Sequence, residues 1–108
     1  MPYIQFHALT EDQVANISKD LKQELATALN IAETAWEIEL IQSEFFNNGG
    51  KVTTNPLVEI IWMTRAQEAQ DTAAKIISEN LKRLIGRDSF ILFRNVAKET
   101  FYKNGVHY

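Results

Sequence analysis

The chain has 108 residues, 45% of them hydrophobic, and a formal net charge of -3 at pH 7 with no cysteine. This length fits one domain with a small core, and the absence of cysteine excludes disulfides, thiolate catalysis and zinc–thiolate sites. The sequence contains no basic cluster, secretory signal or membrane-length apolar segment, so we expect a cytoplasmic protein with neither a nucleic-acid nor a membrane partner.

The first forty residues have the pattern of a strand, a helix and a second strand. Alternation from Ile4 to Ala8 predicts a half-buried strand. Thr10-Glu11-Asp12-Gln13 has the form of a capping box, and the apolar residues from Val14 to Leu29 then follow helical spacing. Asn30 suits the end of this helix because asparagine tolerates the left-handed conformation. A second alternating stretch, from about Trp36 to Ser43, predicts the second strand.

Turn residues dominate from Phe45 to Pro56, and the same order of elements then repeats. Alternation from Leu57 to Met63 predicts the third strand. Thr64-Arg65-Ala66-Gln67 is a second possible capping box. The spacing of apolar residues from Ala69 to Leu84 predicts a second amphipathic helix, which Gly86 would end as a left-handed cap.

A short apolar run from Phe90 to Phe93 predicts the fourth strand, and Asn104-Gly105 predicts a hairpin in the tail. Two right-handed β-α-β crossovers place each strand pair parallel and both helices on one face of a four-stranded mixed sheet. The predicted fold class is therefore α/β, with a single domain over residues 1–108. Its β-α-β repeats lie at about 2–43 and 57–95, and its hairpin tail lies at about 101–108.

The face of the sheet that the helices leave open combines acidic and apolar side chains. By alternation we expect it to show Gln5, His7, Glu37, Glu39, Glu59, Tyr3, Ile41, Ile61, Met63, Ile91 and Phe93. This mixture is too apolar for a water-exposed surface and too polar for a dry core. It therefore favours a subunit interface that encloses a partly wet centre.

Several weak motifs, in a specific order, carry a family resemblance. Proline follows the initiator methionine, a doubled β-α-β plan fills about 110 residues, and the Gly-rich crossing Phe45–Gly50 precedes Pro56. Together these resemble the tautomerase superfamily, in the branch of macrophage migration inhibitory factor. The stretch Pro56–Trp62, Arg65, Gln70-Asp71 and the ending Tyr102–Tyr108 are more similar to a small, uncharacterised bacterial branch. The resemblance extends over nearly the whole chain.

The superfamily resemblance implies a homotrimer with a pocket at each subunit boundary. It also implies that Pro2, once Met1 is removed, acts as a general base or acid through its secondary amine. A base must be unprotonated to abstract a proton, and burial or a nearby cation would disfavour the charged ammonium. Many proteins, however, begin with Met-Pro without any consequence for function.

Arg65 is the second candidate catalytic residue. It lies at the end of the third predicted strand, which should run antiparallel to the first and so approach Pro2. Arginine at this position would hold a substrate carboxylate with two parallel hydrogen bonds. The alternative is an exposed arginine at a helix start, paired with Glu68 or with solvent.

Aromatic residues form the predicted substrate pocket, although aromatic residues on strands are more often simply core. The predicted pocket residues are Tyr3, Trp36, Trp62, Phe93, Tyr102 and His107. Glu37 and Glu39 lie two apart on one strand, either as an acid–base pair or as polar lining paired with His7 or a lysine. No cofactor is predicted, and no metal either, because the two histidines and Glu39 lack the spacing of metal ligands.

Two departures bear on activity. Compared with the better-known branch, a lysine before the second strand is missing from Leu29-Asn30-Ile31-Ala32, and Ile91 and Phe93 replace a pocket Tyr and Asn.

Our leading prediction is a homotrimeric isomerase of the tautomerase type that acts on a small, carboxylate-bearing 2-oxo or enol acid. The alternatives are a non-enzymatic trimeric structural or ligand-binding member of the fold, and a ferredoxin-like ligand-binding dimer. The long crossing and the Met-Pro start argue against the dimer.

Overall fold

The computed structural model describes residues 2–108, so the expected removal of Met1 lies outside the described residues. The elements in chain order are β1 (Tyr3–His7), α1 (Glu11–Ile17), α2 (Leu21–Leu29), β2 (Glu37–Ile41), β3 (Phe45–Asn47), β4 (Gly50–Val52), β5 (Leu57–Met63), α3 (Gln67–Ile85), β6 (Phe90–Val96), β7 (Tyr102–Lys103) and β8 (Val106–His107). Short 3₁₀ turns at Glu33–Ala35 and Lys98–Thr100 precede β2 and β7.

One four-stranded mixed sheet organises the fold, with the strand order β2-β1-β5-β6. β1 and β2 are parallel, β5 and β6 are parallel, and β1 and β5 are antiparallel. The doubled β-α-β plan is therefore confirmed. The predicted third strand agrees with β5 at both ends, because Val58, Ile60 and Trp62 alternate cleanly with less buried residues.

All three helices pack on one face of this sheet. The buried apolar core consists of Ile4, Phe6, Val14, Ile17, Leu21, Leu25, Trp36, Val58, Ile60, Trp62, Ala73, Ile77 and Leu81. Each Val, Leu, Ile or Phe side chain of this core stabilises the fold by about 1.5–3 kcal/mol on burial, before the loss of conformational entropy. Within residues 2–108, none of the helices combines the length and the apolarity that crossing a membrane requires.

The single helix predicted over Val14–Leu29 is in fact two helices. The predicted capping box at Thr10 is present, but α1 ends at Ile17. The Ser18 hydroxyl donates to the Ala15 carbonyl oxygen at 2.8 Å, a local bond that competes with the helical pattern. The apolar spacing continues across this break, which is why spacing alone could not reveal it.

Two further boundaries differ from the sequence prediction. β1 ends at His7 because Ala8 takes a left-handed φ of 64°, which a strand cannot contain. The second capping box does not form, since the residue before α3 is Ala66, which makes no side-chain capping bond. The Thr64 N–H instead donates to the Val96 carbonyl oxygen at 3.0 Å and extends the pairing of β5 with β6.

Two hairpins lie outside the main sheet. The predicted tail hairpin is confirmed, with Tyr102 paired to His107 across Asn104-Gly105. The crossing between the two halves also contains a hairpin, β3–β4, which we read from the sequence only as a turn-rich connection. Asn48 and Gly49 have φ values of 49° and 80°, the left-handed pair that a tight two-residue turn requires.

Candidate active site

Four residues form a row across the sheet at the amino end of β1: Trp36, Pro2, Trp62 and Asn95. The Pro2 carbonyl oxygen accepts a hydrogen bond of 2.9 Å from the N–H of Glu37, which follows Trp36. The pairing of β1 with β5, continued by one residue, places Pro2 opposite Trp62. Trp62 in turn pairs with Asn95 on β6. The sheet register therefore places Pro2 between two tryptophans.

The Pro2 ring is enclosed on the helix side of the sheet. Its side chain is less than 2% exposed, and Trp36 and Trp62 are 0% and 1% exposed. The strands that carry these tryptophans flank β1 and so lie about 10 Å apart. Their indole centroids are nevertheless only 6.4 Å apart, with the planes at 55°. The two rings therefore lean toward each other over β1, and the proline is shielded from water.

Trp62 is held in place by polar and aromatic contacts. Its Nε1–H donates to Asn95 Oδ1 at 2.7 Å, and Asn95 Nδ2 donates in turn to Gln70 Oε1 at 3.3 Å. The ring of Phe93 lies 4.9 Å from that of Trp62. Asn95 was missed in the sequence because the fourth strand was expected to end at Phe93.

Arg65 lies at the edge of this group. Its guanidinium carbon is 5.6 Å from the Trp62 ring centroid, a cation–π contact that contributes about 0.5–1 kcal/mol at an exposed position. The arginine is exposed, and within residues 2–108 no carboxylate lies in ion-pair range of it. Of the alternative prediction, an exposed arginine paired with Glu68 or with solvent, the exposure is present and the pairing with Glu68 is not, so the guanidinium donors remain available to solvent or to an anion.

Trp36 differs from Trp62 in its hydrogen bonding. Its Nε1 is fully buried and has no hydrogen-bond partner within residues 2–108. A buried donor without a partner costs about 1–3 kcal/mol and is rare in native proteins. Two neighbouring indoles in the same row therefore have opposite status, one satisfied and one not.

Within one chain, the predicted site residues fall into two groups. One group, on the helix side of the sheet and at its edge, is Pro2, Trp36, Trp62, Phe93 and Arg65. The other group is Tyr3 on the open face and Tyr102 and His107 on the tail hairpin. The rings of Tyr102 and His107 contact each other at 6.0 Å, and Tyr3 stacks on Phe101 at 6.3 Å, which joins the tail to β1. Pro2 and Tyr3 are consecutive in the chain, but the ring contacts found in residues 2–108 for Tyr3, Tyr102 and His107 are with the tail and with one another.

The open face of the sheet carries a charged cluster of His7, Glu59 and Arg94. Glu59 Oε2 lies 2.9 Å from His7 Nε2, and Glu59 Oε1 accepts bonds of 2.9 and 2.6 Å from Arg94 Nε and Nη2. The hydrogen bond from Arg94 lowers the pKa of the Glu59 carboxyl below its ordinary value, and the bond with His7 acts in the same direction, while burial opposes both. Arg94 was not singled out from the sequence.

In the part of the chain that the structure describes, the other two glutamates of this face, Glu37 and Glu39, do not make the contacts with His7 or a lysine that the sequence suggested. Glu39 accepts a hydrogen bond from Gln5 Nε2 at 2.8 Å rather than pairing with His7. Glu37 and Glu39 are both exposed. In residues 2–108, no three His, Asp or Glu side chains are grouped closely enough to hold a metal ion.

The apolar part of the open face is also corrected. Ile91 and Phe93 pair with Val58 and Ile60 and pack against the core, so they lie on the helix side. Phe90 and Leu92 take their place on the open face and are 65% and 46% exposed. A continuous apolar run shows no alternation, so only the register with β5 decides which side faces the helices. The open face thus remains partly apolar, with different residues.

A family model described as a domain of unknown function, DUF1904, matches residues 1–107. The chain is 24% identical to a domain of this family from Sebaldella termitidis, over 100% of both chains, with a TM-score of 0.93. A protein of unknown function from Vibrio cholerae is 30% identical, over 99% of this chain and 87% of the other, with a TM-score of 0.89. No curated protein sequence matches the chain.

Tautomerase-superfamily structures share the fold at lower identity. A macrophage migration inhibitory factor-like protein from Entamoeba histolytica is 12% identical over 99% of this chain and 98% of its own, with a TM-score of 0.76. Pt0534 inactivated by 2-oxo-3-pentynoate and a fused 4-OT asymmetric trimer are 10% and 11% identical, with TM-scores of 0.80 and 0.81. Each of the two matches extends over 97% of this chain. They cover 95% of the Pt0534 chain and 94% of the 4-OT chain. The predicted tautomerase-like fold is confirmed.

Proposed function

The chain belongs to the DUF1904 family, and we propose that it is a tautomerase-like isomerase that transfers a proton on a small 2-oxo or enol acid. The observation that carries this proposal is the enclosure of Pro2 between Trp36 and Trp62, with less than 2% of its side chain exposed. A secondary amine in such a setting is shielded from water, which disfavours its charged form. The neutral amine is then available as a base.

The proposed reaction is a proton transfer through an enol. The Pro2 nitrogen takes the proton from the carbon next to the 2-oxo group, and the electron pair of that C–H bond moves into the enol. The protonated amine then returns the proton, and the reverse sequence converts the enol to the ketone. No redox step or cofactor is needed for this reaction.

Arg65 is the proposed carboxylate anchor. It is exposed at the edge of the row, is held by the Trp62 ring at 5.6 Å, and has donors that no carboxylate in residues 2–108 occupies. A guanidinium group matches a carboxylate with two parallel hydrogen bonds. Fixing the carboxylate would hold the reacting carbon at the amine, which is the advantage of proximity in catalysis.

Self-association belongs to the same proposal. The solved 4-OT structure of this fold is a trimer, and this chain leaves Phe90 and Leu92 exposed on the open sheet face. Within one chain, the ring of Tyr102 contacts that of His107. In the proposed homotrimer with boundary sites, these two tail residues complete the pocket of a second copy of the chain.

The proposal also includes a substrate class and a cellular location. The structural neighbour Pt0534 is inactivated by 2-oxo-3-pentynoate, a 2-oxo acid, and we carry this substrate class over to the present chain as part of the proposal. A cytoplasmic location is also part of it, because a chain without cysteine suits a reducing compartment.

Four proteins test the proposal with phenylpyruvate as the substrate. They are the chain with a free Pro2 amine, the chain with Met1 retained, Pro2→Ala and Arg65→Ala. We expect ketonisation by the first to exceed that by the second and third about 10²- to 10⁴-fold, the usual contribution of a positioned base. Equal rates in all four proteins would refute the proposal.

The alternative function is that of a non-enzymatic trimeric structural or ligand-binding protein. The same burial of Pro2 favours it, because a substrate must reach a ring that is less than 2% exposed. Binding of phenylpyruvate without turnover in all four proteins would support this alternative.

A further inference from the structure

The indole nitrogen of Trp36 is a buried donor whose bond is missing. Within residues 2–108 it has no hydrogen-bond partner, although Trp36 is 0% exposed. Buried polar groups in native proteins are nearly always paired with protein, water or a ligand. The neighbouring Trp62, with its bond to Asn95 at 2.7 Å, shows that this row can satisfy an indole donor. The unmet bond of Trp36 therefore points to a group that the chain alone does not supply.

The missing acceptor belongs next to Pro2. Trp36 directly precedes Glu37, whose N–H bonds to the Pro2 carbonyl oxygen at 2.9 Å. Trp36 and Pro2 are therefore neighbours at the amino ends of β2 and β1. Both side chains lie on the helix side of the sheet. Removal of Met1 would leave the Pro2 nitrogen in this row as a secondary amine.

We propose that the Nε1–H of Trp36 donates a hydrogen bond to the oxygen atom of the substrate that becomes the enolate oxygen during proton transfer. This inference rests on the proposed function and names a further catalytic residue for it. Removal of a proton from carbon by Pro2 moves an electron pair toward that oxygen, which gains negative charge. A donor fixed in a water-excluded site stabilises this charge without reorganisation. The charged form of Pro2 returns the proton, so the indole itself is never deprotonated.

The proposed hydrogen bond supplies a donor for the 2-oxo oxygen, which the candidate site otherwise lacks among the described residues. Arg65 accounts for the carboxylate, and Pro2 accounts for the proton. In this assignment neither group is the donor to the 2-oxo oxygen. An oxygen acceptor is what an indole N–H requires, because indole is a donor only.

The direct test uses nuclear magnetic resonance of the indole N–H groups. The chain has two tryptophans, so ¹⁵N-labelled protein gives two indole signals, which Trp36→Phe and Trp62→Phe assign. Titration with phenylpyruvate into protein with a free Pro2 amine should shift the Trp36 Nε1–H signal downfield, as a new hydrogen bond forms. The Trp62 Nε1–H signal, already bonded to Asn95, should move less. A Trp36 signal that stays in place while ligand saturates the protein overturns the inference.

Rates give a second test. Trp36→Phe keeps an aromatic ring and removes the unpaired donor together with part of the buried ring, so we expect kcat to fall about 10²- to 10³-fold with little change in KM. Leu81→Ala is the control for lost packing, because Leu81 is a buried core residue that is not among the site residues, and it should retain most of kcat. Thermal unfolding separates function from folding, because kcat should fall far more in Trp36→Phe than in Leu81→Ala even where both variants lower the midpoint equally.

The outcomes distinguish the two proposals. Turnover that depends on Pro2 but is equal in wild type and Trp36→Phe overturns only the role of Trp36. Turnover that does not depend on Pro2, or no turnover together with no indole shift, overturns the proposed function and this inference with it.

Discussion

His7 and Glu59 meet across β1 and β5, with His7 Nε2 at 2.9 Å from Glu59 Oε2, on the sheet face that the helices leave open. The Glu59 side chain is only 13% exposed, and its second oxygen is bonded to Arg94. A carboxylate this enclosed must be hydrogen-bonded to be tolerated in the folded protein, and His7 and Arg94 are its partners. The cluster therefore makes the stability of the fold depend on pH.

We expect Glu59→Gln to destabilise the protein at pH 7 by about 1–2 kcal/mol, since hydrogen bonds to charged groups are strong but Arg94 is itself largely exposed. The folded-state pKa of Glu59 is lowered from the ordinary 4.5. Its contribution is therefore fully present above 4.5 and is lost as pH falls through the lower folded-state pKa. Denaturant unfolding of wild type and variant from pH 7 to pH 3 checks this.

Glu37→Gln is the matched control, because Glu37 lies on the same sheet face but is exposed. It should leave the unfolding free energy nearly unchanged at every pH. A difference between wild type and Glu59→Gln that persists undiminished at pH 3 would contradict the assigned role of the carboxylate.

This cluster was only partly predictable from the sequence. Alternation correctly placed His7 and Glu59 on the open face, because each lies in a strand with a clear period of two. Arg94 was missed because the run from Phe90 to Phe93 is apolar at every position and gave no reason to extend the strand. The partner of His7 depends on the register between strands far apart in sequence, which composition and spacing do not specify.

The candidate site shows the same division. Proline after methionine and the two tryptophans could be noted in the sequence, and the strand order implied that the end of the third strand, with Arg65, approaches Pro2. The different hydrogen bonding of Trp36 and Trp62 could not be predicted, because it depends on Asn95, beyond the predicted end of the fourth strand. The β3–β4 hairpin, by contrast, could have been predicted, since Asn48-Gly49 carries the same signal as the tail pair Asn104-Gly105.

The exposed Leu92 predicts self-association through the open sheet face. We expect light scattering coupled to size exclusion to give three times the chain mass of 12.4 kDa. Leu92→Arg should shift the population toward monomer, because it would add a charge that must be desolvated in the interface. Leu84→Arg is the control, since Leu84 is 44% exposed on α3 and Leu92 is 46% exposed on β6.

A wild-type monomer across the micromolar range would contradict the interface and the proposed trimer. A dimer would instead favour the ferredoxin-like assembly. Loss of mass in Leu84→Arg but not in Leu92→Arg would place the interface on the helix side of the fold.

Met1 should be absent from protein made without an upstream tag. Proline is small enough to permit removal of the preceding methionine, but Pro2 is less than 2% exposed once folded. We therefore expect removal during synthesis, while the amino end is still accessible. Intact mass spectrometry should show a chain shorter by one methionine. Folded protein that has kept Met1 should resist an added aminopeptidase, and retention of Met1 in untagged protein would refute the proline-base proposal.

Arg65→Ala should weaken substrate binding far more than it slows the chemical step. The proposed bonds to the substrate carboxylate exist before and during proton transfer, and uniform binding of this kind affects KM rather than kcat. Two hydrogen bonds between charged groups correspond to an increase in KM of about 10- to 100-fold. Arg65→Lys should fall between wild type and Arg65→Ala, because an ammonium keeps the charge but not the planar pair of donors.

Lys75→Ala is the control for net charge, since Lys75 is an exposed cation on α3, away from the row of Pro2. It should leave both constants unchanged. The physical reason for a selective effect is the position of Arg65, whose guanidinium lies 5.6 Å from the Trp62 ring beside the enclosed proline. An equal rise in KM in Arg65→Ala and Lys75→Ala would mean that overall charge, rather than a carboxylate contact at this site, attracts the substrate. An unchanged KM in Arg65→Ala would remove Arg65 from the site.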